Sequence, residues 1–135
     1  MAVATLSRRY DMKLRIRGNS VRLRLSQTEV EQLAAEGVAE DRVRFSAEAS
    51  LVYRVQVAPA GPVRAELGAD GVTVTLPRAT LERWLDPDEV SIRAEQPIDG
   101  GDALKILVEK DFACLVPREG EDQSDLFPNP ARRAC

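Results

Sequence analysis

Apolar and polar residues alternate along two neighbouring stretches near the start of the chain. Residues 13–17 read Lys-Leu-Arg-Ile-Arg and residues 21–25 read Val-Arg-Leu-Arg-Leu. A period of two with one apolar face predicts half-buried strands, and Gly18-Asn19 between them is a turn signal. A tight hairpin of these strands would place two pairs of arginines opposite each other: Arg17 with Arg22, and Arg15 with Arg24.

The pattern then changes to the spacing of a helix. Ser26 followed by Glu29 forms an S-x-x-E capping box, Val30 and Leu33 begin an apolar stripe, and Gly37 is a typical helix stop. Alternating apolar residues after Gly37 predict two further strands, over 43–45 and 51–57.

The second part of the chain repeats this order. Strand patterns over 63–67 and 72–76 precede a short helix that carries Leu81, Trp84 and Leu85, and strand patterns return over 90–92 and 104–108. When the halves are laid over each other, apolar positions 51 residues apart coincide: Val21 with Val72, Leu23 with Val74, Leu25 with Leu76, Val30 with Leu81, and Leu33 with Trp84.

Each half alone would expose an apolar sheet face, so the two halves should close around one core. The sequence therefore predicts a mainly β, single-domain, pseudo-duplicated barrel with two short α-helices. Repeat one covers residues 12–58, repeat two covers 62–110, and residues 111–135 form a C-terminal tail packed at its start. Chance similarity between two β-rich stretches is the alternative.

Composition narrows the possible chemistry. The 135 residues contain no histidine and two cysteines. The commonest general base and metal ligand is therefore missing, which disfavours catalysis, and we expect no cofactor. No apolar run approaches the ~18 residues of a membrane span. We expect a cytoplasmic protein without a membrane partner.

Charge is distributed unevenly along the chain. Residues 1–60 carry ten Lys/Arg and seven Asp/Glu, whereas residues 61–135 carry nine and fifteen. The front of the chain is cationic and the back is acidic, so the two parts suit different partners.

Two segments resemble a known family of DNA-binding domains. The stretches RGNSVRLRLSQTEVEQL (17–33) and DGVTVTLPRATLERWLDPDEVSIR (70–93) resemble swapped-hairpin, AbrB/MazE-like domains in their turn, strand and short helix. Members of that family interlock as homodimers, and the resemblance implies that a tandem duplication builds such a dimer within one chain. The segments KLRIRGNSVRLRL, LVEKDFACL and FPNP also resemble a small uncharacterised bacterial family. This second resemblance does not indicate what the protein does.

The first candidate site is the cationic hairpin, with Arg8 and Arg9 before it. In AbrB/MazE-like domains the corresponding strand and turn contact DNA, and arginine suits phosphate and guanine contacts. Nucleic acid or another polyanion is thus the expected partner. The alternative is a solvated face that pairs with the acidic second half. The candidate contact residues are Lys13, Arg15, Arg17, Asn19, Arg22 and Arg24.

The second candidate site is the acidic tail. Its thiols and carboxylates suggest a thiol-linked or metal-binding module, or a docking segment for a protein partner, although the spacing matches no zinc motif. A plain acidic tail is the alternative. The candidate residues are Cys114, Cys135, Glu121, Asp122 and Asp125. We therefore predict a non-catalytic binding module, with a DNA- or polyanion-binding regulator favoured over a module that works through this tail.

Overall fold

The computed structural model describes residues 12–112 and 126–128. These residues form a mainly β structure with two helices, as the sequence predicts. The elements in chain order are β1 (Lys13–Arg17), β2 (Ser20–Leu25), α1 (Gln27–Glu36), β3 (Val38–Arg44), β4 (Ser50–Ala58), β5 (Arg64–Leu67), β6 (Gly71–Pro77), α2 (Arg78–Trp84), β7 (Ser91–Pro97) and β8 (Ala103–Lys110).

The strands form two four-stranded sheets. The first sheet has the order β1-β2-β8-β7 and the second has the order β3-β4-β6-β5. Each sheet contains one antiparallel hairpin from either half of the chain. A central parallel pair joins the two hairpins, β2 with β8 in the first sheet and β4 with β6 in the second. Neither half of the chain can form such a sheet alone.

The predicted closed barrel is wrong for the described residues, because no strand ladder joins the two sheets. Where β5 approaches β7, the side-chain amide of Gln96 takes the place of a backbone partner. Its Nε2 donates to the carbonyl of Ala65 at 2.9 Å, and its Oε1 accepts from the Ala65 N–H at 2.8 Å. A side chain satisfies one residue and cannot continue a ladder, so the sheets stay separate at this corner.

The first hairpin has a different register from the one we predicted. Arg15 lies opposite Arg22 and Arg17 opposite Ser20, so both predicted pairs, Arg17 with Arg22 and Arg15 with Arg24, are wrong. The loop contains only Gly18 and Asn19, and Gly18 takes a left-handed φ of 56°. A two-residue loop needs positive φ to match the strand twist, which glycine provides at little steric cost.

The first helix begins and ends where the sequence predicts. The backbone N–H of Ser26 donates to Glu29 Oε1 at 2.9 Å, and both halves of the capping box are present. Gly37 ends the helix with a φ of 82°, and its N–H donates to the carbonyl of Leu33 at 2.9 Å. These caps satisfy backbone groups that the helix ends would otherwise leave open.

The core lies between the sheets and takes side chains from both helices. Trp84 is 1% exposed and its indole Nε1 donates to the carbonyl of Val90 at 3.1 Å. Leu85, expected on the same apolar stripe, instead follows the end of α2 and is 39% exposed. The other large, fully buried apolar side chains are Leu23, Leu25, Leu33, Val55, Val74, Leu76, Leu81 and Val108.

A short piece of the tail packs against the end of β8. The N–H of Phe127 donates to the carbonyl of Asp111 at 2.9 Å, and its ring meets that of Phe112 edge-to-face at 5.9 Å. Lys110 Nζ lies 5.6 Å from the centre of the Phe127 ring and donates to the carbonyl of Asp86 at 2.9 Å. Burial lowers the pKa of Lys110 despite the nearby carboxylates.

No helix in the described part of the chain is long and apolar enough to cross a membrane.

A substitution at Gly71 tests how closely the parallel strands β4 and β6 approach each other. It starts β6 with a φ of 152°, and a Cβ there would lie 1.8 Å from the carbonyl oxygen of Val52 on β4. We expect Gly71→Ala to lower the free energy of unfolding by about 3 kcal/mol or more, because the backbone itself must move. Urea denaturation measures this change.

Gly68→Ala is the matched control. A Cβ at Gly68 would have no neighbour closer than 3.9 Å, so this variant should unfold within about 0.5 kcal/mol of the parent protein. Equal stability of the two variants would contradict the close approach of β4 and β6.

Candidate anion-binding face

The outer face of the first sheet carries a grid of charged side chains. Strand pairing places Arg15, Arg22, Leu107 and Arg93 side by side in one row across β1, β2, β8 and β7. The row nearer the hairpin turn contains Arg17, Ser20, Lys105 and Glu95, and the row on the other side contains Lys13, Arg24, Glu109 and Ser91. Neighbouring strands lie about 4.8 Å apart, so the middle row spans about 14 Å.

Two carboxylates from the second half of the chain neutralise part of this grid. Glu109 Oε1 lies 2.8 Å from Arg22 Nε and 2.7 Å from Arg24 Nε. The N–H at Arg22 Nε still has no well-aligned acceptor within the described residues, so that contact is an ion pair without a directed hydrogen bond. Asp111 Oδ2 lies 2.9 Å from Lys13 Nζ. The predicted alternative, pairing with the acidic half, therefore applies to these three cations.

Four cations of the grid have no carboxylate partner among the described residues. Two come from the predicted hairpin, and two come from β7 and β8. All four are exposed. They are Arg15, Arg17, Arg93 and Lys105.

These four side chains surround an open groove of about 640 Å³. Arg22 and Glu95 also line it, so the groove has five cationic side chains and one carboxylate. Leu107 lies in the middle row between Arg22 and Arg93 and adds an apolar surface. Guanidinium groups arranged around a groove suit oxyanions, because each presents several N–H donors and keeps its charge.

Asn19 has a structural role in the hairpin turn. Its Nδ2 donates to the carbonyl of Ala103 at 2.8 Å, and its own carbonyl accepts from the N–H of Lys105 at 3.1 Å. The side-chain amide therefore joins the turn to the start of β8. This places Lys105 beside the predicted hairpin.

The central cation on the outer face of the second sheet is paired with carboxylates, although Arg44 and Arg64 of that sheet have no carboxylate partner among the described residues. Arg54, at the centre of that face, donates to Glu40 Oε1 at 3.0 Å, to Thr73 Oγ1 at 3.0 Å and to Asp70 Oδ2 at 3.2 Å. The hydrogen bond to Glu40 is the main reason that the pKa of Arg54 is raised. The charge of Arg54 is therefore neutralised by Glu40 and Asp70.

Sequence reasoning identified β1 and β2 but missed Arg93, Lys105 and Leu107. Alternation does predict that Arg93 and Lys105 face away from the core, since Ile92 and Ile106 face into it. It cannot predict that β8 pairs with β2 across 85 positions, from Ser20 to Lys105. That pairing brings the two halves of the groove together.

The candidate residues of the tail lie outside the described residues, and so do Arg8 and Arg9. The tail candidates outside the described residues are Cys114, Cys135, Glu121, Asp122 and Asp125. Within residues 12–112 and 126–128, no group of three acidic, cysteine or histidine side chains is placed to hold a metal ion. The tail interpretation stays a prediction.

A buried acidic cluster lies on the core side of β3 and β4. Asp41 is 1% exposed and pairs across the strands with Tyr53, and Glu29 of α1 lies close enough to affect the same ring. The hydroxyl of Tyr53 donates to the carbonyl of Met12 at 3.2 Å. Burial raises the pKa of Tyr53, and the charges of Asp41 and Glu29 raise it further.

Residues 12–131 match the model of a family of unknown function, DUF7009. No curated protein and no solved structure matches the chain.

The raised pKa of Tyr53 predicts that the folded protein loses stability at alkaline pH. Its pKa is above 10 in the folded protein and 10 when unfolded, so unfolding releases a proton above pH 10. The stability that the neutral Tyr53 hydroxyl contributes below pH 10 is lost as the pH rises towards its pKa in the folded protein. We expect the melting temperature to fall more steeply above pH 10 than in Tyr53→Phe, which lacks the ionising hydroxyl.

Tyr53→Phe removes the bond to Met12 and should be less stable by about 1 kcal/mol at pH 8. The difference between the two proteins should then narrow as the pH rises from about 9 to 11. If the melting temperatures of the two proteins instead fall in parallel over this pH range, the pKa of Tyr53 is not raised in the folded protein.

Proposed function

As the chain belongs to the DUF7009 family of unknown function, we propose from its own structure that it is a non-catalytic module that binds nucleic-acid phosphates. The binding surface is the outer face of the first sheet. Arg15, Arg17, Arg93 and Lys105 contact the phosphates. Arg22 and Arg24 are held beside them by Glu109.

One observation carries this proposal: four cations from both halves of the chain, none with a carboxylate partner among the described residues, surround one groove. Like charges placed side by side on a sheet destabilise it by a few tenths of a kcal/mol each, and Arg15 faces Arg22 directly. A bound polyanion relieves that repulsion and releases counterions. The protein has a net charge of −3, so attraction must come from this local surface and not from the whole molecule.

The relation to swapped-hairpin AbrB/MazE-like domains is also part of the proposal. We infer that the chain contains two copies of one strand–strand–helix–strand–strand unit. Support comes from the element positions: β1, β2 and α1 begin 51 residues before β5, β6 and α2, as from Lys13 to Arg64. Likewise β3 and β4 begin 53 residues before β7 and β8, as from Val38 to Ser91.

The hairpin registers support the same relation. Lys13 lies opposite Arg24 in the first hairpin, and the residues 51 positions later, Arg64 and Thr75, lie opposite each other in the β5–β6 hairpin. Exchange of the two halves converts the strand order of the first sheet into that of the second. An interlocked pair of hairpin units fused into one chain accounts for both regularities.

Only one of the two related faces is suited to bind. The position of Arg15 in the second unit is Glu66, and the central Arg54 of the second sheet is neutralised by Glu40 and Asp70. We therefore propose one phosphate-binding face per chain. Fusion of the two units permits this, since each copy can then carry different surface residues.

Binding to a labelled random-sequence DNA duplex tests the proposal. We expect binding at about 20 mM salt that weakens steeply towards about 200 mM, as counterion release requires. Arg15→Gln with Arg93→Gln should weaken binding and reduce the slope of log K against log salt by about two, at about 0.9 per lost phosphate contact. Fluorescence anisotropy measures both quantities.

Arg78→Gln with Arg83→Gln is the matched control, because it removes the same charge from the exposed side of α2. It should leave the slope unchanged. No binding by the parent protein at about 20 mM salt, or an equal loss in the control variant, would exclude the groove as a nucleic-acid site.

A further inference from the structure

The four loops that join the strands of the antiparallel hairpins lie at one end of the molecule. In the first sheet the turn 18–19 contacts the start of β8, which follows the loop 98–102. In the second sheet Val52 N–H, near the start of β4, donates to the carbonyl of Asp70 in the turn 68–70 at 2.8 Å. The loop 45–49 leads into β4 and so lies at the same end as that turn.

The corner between β5 and β7 aligns the two sheets. Val63 and Ile92 line one small cavity, and Ala65 bonds to Gln96 further along both strands. The strands β5 and β7 therefore run in the same direction, and their ends lie together. All four connections form one surface, which we call the loop end.

One apolar side chain is exposed in or beside each of these four connections. Phe45 is 72% exposed and Ile16 is 64% exposed, while Leu67 is 82% exposed and Ile98 is 41% exposed. Leu67 lies 51 residues after Ile16, and Ile98 lies 53 residues after Phe45, so the pairs occupy equivalent places. Exposed apolar side chains in a group, unlike scattered ones, indicate an interaction surface.

The two pairs have surroundings of opposite charge. Residues 15–20 and 42–48, around Ile16 and Phe45, contain four arginines and one glutamate. Residues 66–71 and 95–103, around Leu67 and Ile98, contain two glutamates and three aspartates and no lysine or arginine. The loop end thus has a basic half with an apolar pair and an acidic half with an equivalent apolar pair.

We propose that the loop end binds the loop end of a second copy of this chain. A twofold rotation places the basic half of each copy over the acidic half of the other, and the Ile16 and Phe45 pair over the Leu67 and Ile98 pair. Such an interface is isologous, so the assembly closes as a dimer.

A second copy fits this surface better than other partners. Of the five carboxylates in the acidic half, Asp70 is paired with Arg54, and the other four have no cation partner among the described residues. These four would repel nucleic acid, and an acidic protein would leave that half unmatched. The chain itself supplies both charges at matching positions. Opposite charges around apolar contacts also give a correct orientation, because a copy rotated within the interface would bring like charges together.

Sedimentation or light scattering of the full-length protein tests the proposal. From about 10 μM to about 1 mM protein, we expect the mass to rise from the 14.9 kDa of one chain towards twice that value. Salt at about 0.5 M should weaken the association, since its orientation depends on charge. Phe45→Ser with Arg44→Ser, and separately Leu67→Ser with Glu66→Ser, should each weaken the dimer about tenfold or more.

A mixture of the two double variants identifies the contacting halves. Each variant alone has no intact contact, whereas a mixed pair keeps one, so the mixture should associate more tightly than either variant alone. Arg83→Ser with Leu85→Ser is the matched control, because it removes an arginine and an exposed leucine at the end of α2 and should leave the dimer unchanged.

Three results would overturn the proposal: a parent protein that is monomeric at about 1 mM, dimers that survive both double variants, or a mixture no tighter than its components. None of the variants changes the unpaired cations of the groove. Loss of the dimer and loss of nucleic-acid binding are therefore measured separately.

Discussion

The structure depends on two parallel strand pairs, β2 with β8 and β4 with β6. Each pair joins a hairpin from one half of the chain to a hairpin from the other, so both sheets require both halves. The core follows from this exchange, because Leu23 and Val108 are buried side by side although they are far apart in the sequence. Contacts of such long range close large loops, and their entropy cost is recovered only when the whole core assembles.

The same exchange determines the electrostatics. Glu109 reaches Arg22 and Arg24, and Asp111 reaches Lys13, because β8 lies beside β2. These contacts keep part of the basic hairpin stable, and Arg93 and Lys105 extend the unpaired part across the sheet. Strand pairing, more than the overall composition, converts an acidic chain into one with a locally basic face.

Much of the local structure was predictable from particular residues. Ser26 and Glu29 indicated the start of α1, Gly37 its end, and alternation of apolar residues the faces of β1 and β2. The hairpin register was predicted wrongly by two residues, because alternation is equally consistent with several loop lengths. The barrel was predicted wrongly because the amide of Gln96, a side chain without periodic signal, satisfies the edge of β5.

The sequence by itself determined the type and the order of the elements, since these depend on the period of apolar positions and on caps within a few residues. It did not determine every inward face, because Ile16, Phe45 and Leu67, which alternation places on apolar strand faces, are exposed. Two of the predicted contact residues, Arg15 and Arg17, line the groove, and their role in binding stays a prediction. Only the tertiary structure decided which cations remain unpaired and which charges share an end of the molecule. Those properties depend on distances between residues such as Arg22, Arg93 and Glu109, which pairing across the sheet sets and which local periodicity does not contain.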